Sequence, residues 1–438
     1  MKHVTNLSDS ETAPASFSEN GGSMNVAIVG FGTVGSSVAR ILSERGGEDL
    51  RLRHIFNRQI ARKRNAALSP SIRWTEDIND VLSSDAHIVI ELIGGLEPAG
   101  DWIRKALKSG KSVVTANKQL IARHGAELVR LARENGQHIA FGASVAGGVP
   151  VISGLQEGLA GDELVELCGI LNGTCNYILT RIEAAGVSFA DALQEAQKMG
   201  FAEADPTDDV DGLDARAKLT ILARTGLHVS AELESISART ISVIEPVDFE
   251  YAKLLECTIR QLSRARKTSK KLFATVGPAL VHASSPLARV EGARNLVMST
   301  GKFGGETVFG GHGAGGHPTA VAVVSDLIAI ARSRQVNGAA LDEGDVPNLS
   351  VSPDFTSRHY LRFTVHDEPG IIASLATIFS RLQINIDSVF QKPGYSKSKL
   401  PFVITLEPCP ASLVEQALTE IASLKFHVQP CLNLPILD

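Results

Sequence analysis

Residues Glu203 to Lys218 read Glu-Ala-Asp-Pro-Thr-Asp-Asp-Val-Asp-Gly-Leu-Asp-Ala-Arg-Ala-Lys and carry six carboxylates ahead of a helical segment. A charged loop whose acids favour the positive end of a helix would account for most of this cluster. Asp214 and Lys218 ask for more. They are four apart and so share one helix face, beside the apolar Leu219, Ile221 and Leu222. A lysine held there would be partly desolvated, which lowers its pKa towards the range useful for acid–base chemistry.

A second constellation could hold a dinucleotide. Gly30-Phe31-Gly32-Thr33-Val34-Gly35 is a GxGxxG sequence between the apolar run Asn25–Val29 and the helical stretch SSVARILSER. Strand before and helix after is the context this motif requires. Its glycines permit the tight turn, the approach of a pyrophosphate and close helix–strand packing, and the helix start offers free N–H groups to phosphates. A plain strand-to-helix turn is the alternative. The end of the next strand distinguishes the cofactors, because NAD sites usually place an acid there. Here Phe56-Asn57-Arg58-Gln59 has none, and Arg62, Lys63 and Arg64 follow. Arg58 is placed to meet a 2′-phosphate, which favours NADP, while the later basic residues read as a solvated helix start.

Two further segments draw notice. Thr115-Ala116-Asn117-Lys118 closes a predicted parallel strand, where ligands of open α/β sheets collect; spacing alone leaves Lys118 an exposed lysine or a ligand contact. Gly310–Pro318, GGHGAGGHP, is rich enough in glycine for its backbone to approach a ligand closely. His312 and His317 lie within it without a matching Cys or His set for a metal.

These residues need elements to position them. NVAIV, LRHIF (52–56), AHIVIEL (86–92), KSVVT (111–115) and QHIAFG (137–142) are strand-like and alternate with helical stretches. That rhythm predicts an α/β fold, a Rossmann-like parallel sheet with helices on both faces, over residues 24–150. Residues 151–316 read as an α/β substrate and dimerisation domain, and 317–335 as a helix returning to the nucleotide domain. A linker is expected at 336–357. Residues 358–438 then follow a βαββαβ order, a ferredoxin-like split pattern.

Composition bounds the rest. The 438 residues allow several domains; 44% are hydrophobic, 21% charged, and the formal net charge is −5. Nothing suggests a nucleic-acid or membrane partner. Residues 1–23 are polar, lack the apolar core of a secretory signal and read as a disordered tail. Five cysteines without paired spacing fit reduced thiols and a cytoplasmic location.

Taken together, GFGTVG, ELIGGLEPA, VVTANK, ASVAGGVPVI, GILNGT followed by Asn176-Tyr177, the 203–218 block and GHGAGGHPTAVAVVSDLI resemble homoserine dehydrogenases, in that family's order over about residues 24–335. HDEPGIIASLATIFSRLQINIDSVFQK resembles an ACT domain, the βαββαβ unit found on long members of the family. The resemblance implies NAD(P)H-dependent reduction of aspartate 4-semialdehyde to homoserine. It implies Lys218 as proton donor, Asp214 beside it, Glu203 on the substrate's amino group and Lys118 near nicotinamide and substrate. Gly200 and Thr174 fall in matching substrate segments; Phe31, Gly32, Thr33, Val34, Arg58 and Gly315 fall in cofactor segments. It further implies a homo-oligomer, dimer or tetramer, and inhibition by threonine through ACT contacts at Gly370 and Asn385.

Two positions depart from the pattern. Gly142 stands where the family often has an acid that serves a sodium ion, leaving only the backbone carbonyls of Val145, Gly147 and Val149 as candidates. Cys175 stands where a hydroxyl residue is common, and a thiol is the weaker hydrogen-bonding group. Two other functions compete. One is an NADP-dependent dehydrogenase of another amino-acid semialdehyde. The other is a non-catalytic sensor of NADP and an amino acid, against which the intact lysines and carboxylates argue.

Overall fold

Six short strands build the first sheet. The computed structural model describes residues 23–45, 49–63, 68–335 and 346–437, so the expected tail, apart from Ser23, and Arg64 lie outside the described residues. Strands β1 (Met24–Val29), β2 (Leu50–Phe56), β3 (Arg73–Thr75), β4 (Ile88–Glu91), β5 (Ser112–Thr115) and β6 (Ile139–Ala140) are all parallel, in the order β3-β2-β1-β4-β5-β6. This is the doubly wound order that puts a ligand crevice at the carboxyl ends beside β1 and β4. Alternation divides the strand residues between two cores. Val26, Ile28, Ile88 and Ile90 face α1 (Thr33–Arg45) and the late helix described below. Ala27, Val29, Val89 and Val113 face α2 (Ala99–Lys108) and α3 (Lys118–Glu134). Helix α3 buries Ile121, Gly125, Leu128 and Ala132 at helical spacing, and Asn117 caps its start by accepting from the Leu120 N–H at 3.1 Å.

The second sheet is mixed and spans the rest of the chain. β7 (Leu164–Ile170), β8 (Ser237–Ala238), β9 (Cys257–Lys267), β10 (Lys271–His282), β11 (Arg294–Gly301) and β12 (Gly305–His312) carry on one face α4 (Gly173–Ala185), α5 (Phe189–Lys198), α6 (Leu213–Leu227) and α7 (Pro246–Leu254). Helix α6 is buried nearly all round, including Leu219, Ile221, Leu222 and Ala223, as befits a helix inside a large core. Helix α8 (Gly316–Gln335) then returns to the first sheet, where Ala320, Val323 and Leu327 are fully buried against Val26 and Ile28.

Part of the stretch expected as a linker, 336–345, lies outside the described residues. Its remainder is tied down: Asn348 bridges Ser230, and β13 (Ser350–Ser352) pairs in parallel with β10. The pattern of short polar residues hid this strand, which owes its place to the edge it meets. β14 (Thr356–Val365), α9 (Ile371–Arg381), β15 (Ile386–Phe390), β16 (Leu400–Pro410), α10 (Ala411–Ile421) and β17 (His427–Leu437) form the βαββαβ unit. It is not a detached module. Leu280 and Val281 of β10 pair with Ile436 and Leu437 of β17, so one sheet runs β12-β11-β7-β9-β10-β17-β14-β16-β15 through both regions.

Candidate active site

The chain brings two lysines onto one carboxylate. Asp214 sits in the first turn of α6, after Gly212 turns the chain with φ +77°. Its Oδ1 lies 2.6 Å from Lys118 Nζ, at the start of α3, and its Oδ2 lies 2.7 Å from Lys218 Nζ, one turn along α6. Lys218 also donates to the Leu171 carbonyl at 2.7 Å, at the end of β7. The site therefore straddles both sheets: Lys118 comes from the crevice end of β5, and Asp214 and Lys218 from the second domain.

Electrostatics follow from this geometry. Burial alone would raise the Asp214 pKa, but Lys218 and Lys118 outweigh it and hold the carboxyl well below the usual range. Burial likewise opposes the charge on Lys118, yet Asp214, with smaller help from Asp209 and Asp208, holds its pKa above the ordinary lysine value. At Lys118 a carboxylate at contact distance therefore overrides desolvation. Lys218 is 12% exposed and both its partners are acceptors. The three charged groups carry one net positive charge, suited to a developing alkoxide.

Sequence reasoning missed three supporting groups. Asn172 caps α4 by accepting from Cys175 N, and its Nδ2 donates to Asp214 Oδ2 at 3.0 Å and Asp209 Oδ1 at 2.6 Å. Burial pushes the Asp209 pKa up, partly offset by the Asn172 hydrogen bond. Glu91, 1% exposed at the end of β4, accepts from Ile93 N, Gly94 N and Thr115 Oγ1, fixing the loop before α2. The carboxylate at the end of a crevice strand was the available signal for Glu91; the pairing of Asn172 with Asp214 spans 42 residues and left none.

The other expected substrate residues form a neighbouring loop. Thr174 Oγ1 donates to the Phe201 carbonyl at 2.7 Å, Gly200 turns at φ +75°, and Glu203 is exposed. Glu203 is therefore on the rim rather than with the lysines. Cys175 is buried, burial raises its pKa, and its Sγ donates to the Asp209 carbonyl at 3.0 Å. A thiol thus still makes a donor contact at that position.

The glycine-rich turn fits a dinucleotide. A side chain at Gly35 would lie 2.2 Å from the Gly30 carbonyl, so packing demands that glycine, and Gly30 itself has φ +105°. Gly32 faces open space, so protein contacts do not explain its lack of a side chain; the approach of a phosphate does. Phe31 is buried against Trp74, Thr33 is exposed and Val34 half-buried at the start of α1. Gly316 lies against Thr33 and Ser37, which brings the Gly315 segment, where Gly315 has φ +120°, to the same crevice. Arg58 is exposed just beyond β2 and pairs with no carboxylate among the described residues. His312 and His317 are both exposed, and no group of three metal-binding side chains occurs among the described residues.

Comparison with known proteins agrees with this geometry. The profile of the homoserine dehydrogenase NAD binding domain matches residues 30–142, that of homoserine dehydrogenase 150–328, and that of the ACT domain 359–426. The homoserine dehydrogenase of Bacillus subtilis is 36% identical over 391 residues, covering 87% of this chain and 90% of its own. That of Pseudomonas aeruginosa is 37% identical over 434 residues, covering 94% and 98%. The crystal structure of a homoserine dehydrogenase from Thiobacillus denitrificans superposes with a TM-score of 0.87 at 33% identity, covering 95% of this chain and 98% of its own. A hyperthermophilic archaeal homoserine dehydrogenase in complex with NADPH superposes at 0.60 and 26% identity, covering 73% and 99%. With a dinucleotide turn, a two-lysine site and an ACT unit in one chain, this protein belongs to the homoserine dehydrogenase family of oxidoreductases.

Proposed function

We propose that the chain reduces L-aspartate 4-semialdehyde to L-homoserine with NADPH, and that Lys118, Asp214 and Lys218 do the work of the protein in that step. The observation that carries this is the pair of lysines on one buried carboxylate at the junction of the two sheets. Bound NADPH supplies the hydride. Lys218 donates the proton to the carbonyl oxygen, and the charge of Lys118 stabilises the oxygen as its negative charge grows. Asp214 holds both ammonium groups in place, and Asn172 holds Asp214. The loop of Thr174, Gly200 and Glu203 orients the amino-acid end of the substrate. Reversal needs Lys218 to accept the proton back.

Arg58 with no acid after Phe56 supports NADP over NAD. A sodium ion fits poorly. The carbonyl of Val149 already accepts from Val151 N, Gly147 packs against Gly313, and no carboxylate stands at Gly142. The nearest one, Asp326, accepts from Gly142 N at 2.9 Å. No step is assigned to a cation beside Val145, Gly147 and Val149.

Threonine is the effector we assign to the ACT unit. Gly370 lines a cavity of about 280 Å³ with Asp367, Gln391 and Phe402, whereas Asn385 lines another of about 460 Å³ with Ser380 and Gln383. Gly370 and Asn385 stand beyond opposite ends of the 11-residue α9, which is about 16 Å long, so the two positions line separate cavities. Five free thiols suit a reducing cytoplasm.

The test is the initial rate of homoserine oxidation by the whole protein with NADP or NAD, with and without millimolar threonine. NADP is expected to win and threonine to inhibit. Lys218→Met should lower kcat by about 100-fold to 1,000-fold; unimpaired turnover would overturn the assignment, and equal rates with both cofactors would remove the role of Arg58.

A further inference from the structure

One buried amide next to the reacting lysine has no partner. β7 and β11 are antiparallel, with Ile170 opposite Leu296. The next register position sets Leu171, whose carbonyl holds Lys218, beside Asn295. Residues opposite one another share a face of the sheet, here the face that carries α6. Asn295 is 2% exposed, and its Nδ2 is buried without a hydrogen-bond partner among the described residues. Buried side-chain amides are nearly always satisfied, so this one is shaped for a group that the protein itself does not supply.

Its surroundings say which group. The amide packs against Gly313, where a Cβ would come within 1.7 Å of Asn295 Oδ1. Gly313 in turn packs on Gly147, and Gly316 packs on Thr33 and Ser37 of the glycine-rich turn. Four residues, 313–316, therefore join the amide to the phosphate-binding turn, a reach of at most about 14 Å. The carbonyl oxygen of Ala293 lies against Gly173, the first residue of α4 after its cap Asn172. Asn295 thus stands between the dinucleotide turn and the proton donor. Asp214 and Asn172 are already engaged, the first by two lysines and the second by two carboxylates and an N-cap.

We propose that Asn295 is a cofactor-binding residue whose side-chain amide pairs with the carboxamide of the nicotinamide ring. A primary amide and a carboxamide are complementary, each offering N–H and C=O. The pairing fixes the rotation of the ring and so the face it turns to the aldehyde. This rests on the assignment of a nicotinamide cofactor.

The experiment measures binding of three ligands to the whole protein by titration calorimetry: NADPH, its 3-acetylpyridine analogue, which keeps the carbonyl but lacks the NH₂, and adenosine 2′,5′-bisphosphate, which lacks the ring altogether. Asn295→Ala should weaken NADPH about tenfold, leave the bisphosphate unchanged and narrow the gap between NADPH and the analogue. Asn295→Ser, a smaller change in packing, should do the same if the alanine variant is unstable. An unchanged ratio of NADPH to bisphosphate affinity overturns the proposal. So does an equal loss for both ligands, which would make Asn295 a prop for the Gly313 loop. Failure of the wild-type protein to bind NADPH at all would instead overturn the cofactor assignment.

Discussion

Asp214 neutralises only one of the two ammonium groups it holds, and that asymmetry is what we propose the site offers a carbonyl oxygen. Its pKa is held below the usual carboxylate range by the lysines, so its contribution to stability is present above that range and is lost as pH falls through the depressed value. Asp214→Asn leaves the two ammonium groups facing each other without an anion. We expect a loss of about 3 kcal/mol near neutral pH together with a fall in kcat. Urea unfolding of wild type and variant should converge as the pH approaches that depressed value, and a gap that persisted there would contradict the assigned charge. Asp214 and Lys218 were legible because a helix brings residues four apart together. Lys118 was ambiguous alone, since its value depends on a carboxylate 96 positions away (118 to 214). Asn172 and Asn295 carry no local pattern at all.

Two elements fix how the parts are held, and each has a buried carboxyl group. Helix α7 meets the ACT unit through Asp248, fully buried, which accepts from Arg362 Nε at 2.7 Å and from the Tyr360 hydroxyl at 2.8 Å, while Glu245 accepts from Arg362 and Gln429. Nearby, the Tyr251 hydroxyl donates to the Pro401 carbonyl, and Lys392 and Tyr395 reach Glu250. The loop with Lys392 also supplies Gln391 to the cavity at Gly370, so this contact is where occupancy of that cavity would be felt. Arg362→Met should cost about 3–5 kcal/mol because it strands a buried carboxylate, and adding Asp248→Leu should recover most of that; thermal melts of the single and double variants measure it. Helix α8 is fastened by Asp326, which accepts from Gly142 N. Burial pushes its pKa to about 7. A carboxyl whose folded pKa is raised takes up its proton in the fold, so stability falls as pH rises from about 4 to about 7 and is then flat. Asp326→Asn should remove that slope, and equal slopes in melting temperature between pH 5 and pH 8 would refute it. The elements themselves were largely readable: periodicity marked β1, β2, α3, α6 and all six pieces of the ACT unit. β3, β8 and β13 were not, because strands of two or three residues derive their form from a neighbouring edge rather than from their own pattern.

At the scale of the molecule, the second face of the large sheet is only partly clothed. Leu287 and Val290 cover Ile170 and Leu262, but Cys168, Leu296 and Met298 remain partly buried, and Val308, opposite Met298, is 45% exposed. We propose a second copy as the occupant, and Met298→Glu should then shift the protein to monomers in analytical ultracentrifugation; an unchanged mass would place the interface elsewhere. Domain boundaries read from the sequence treated residues 358–438 as an appendage, because nothing local in β17 says that it will pair with β10. Yet it does, through Ile436 and Leu437. β17 is also made well after β10. Until it emerges from the ribosome, the end of β10 at Leu280 and Val281 lacks that partner, an open edge of the kind that recruits other chains. The ACT unit is thus also a closing piece for the large sheet during synthesis, and a chain halted before His427 is a candidate for aggregation.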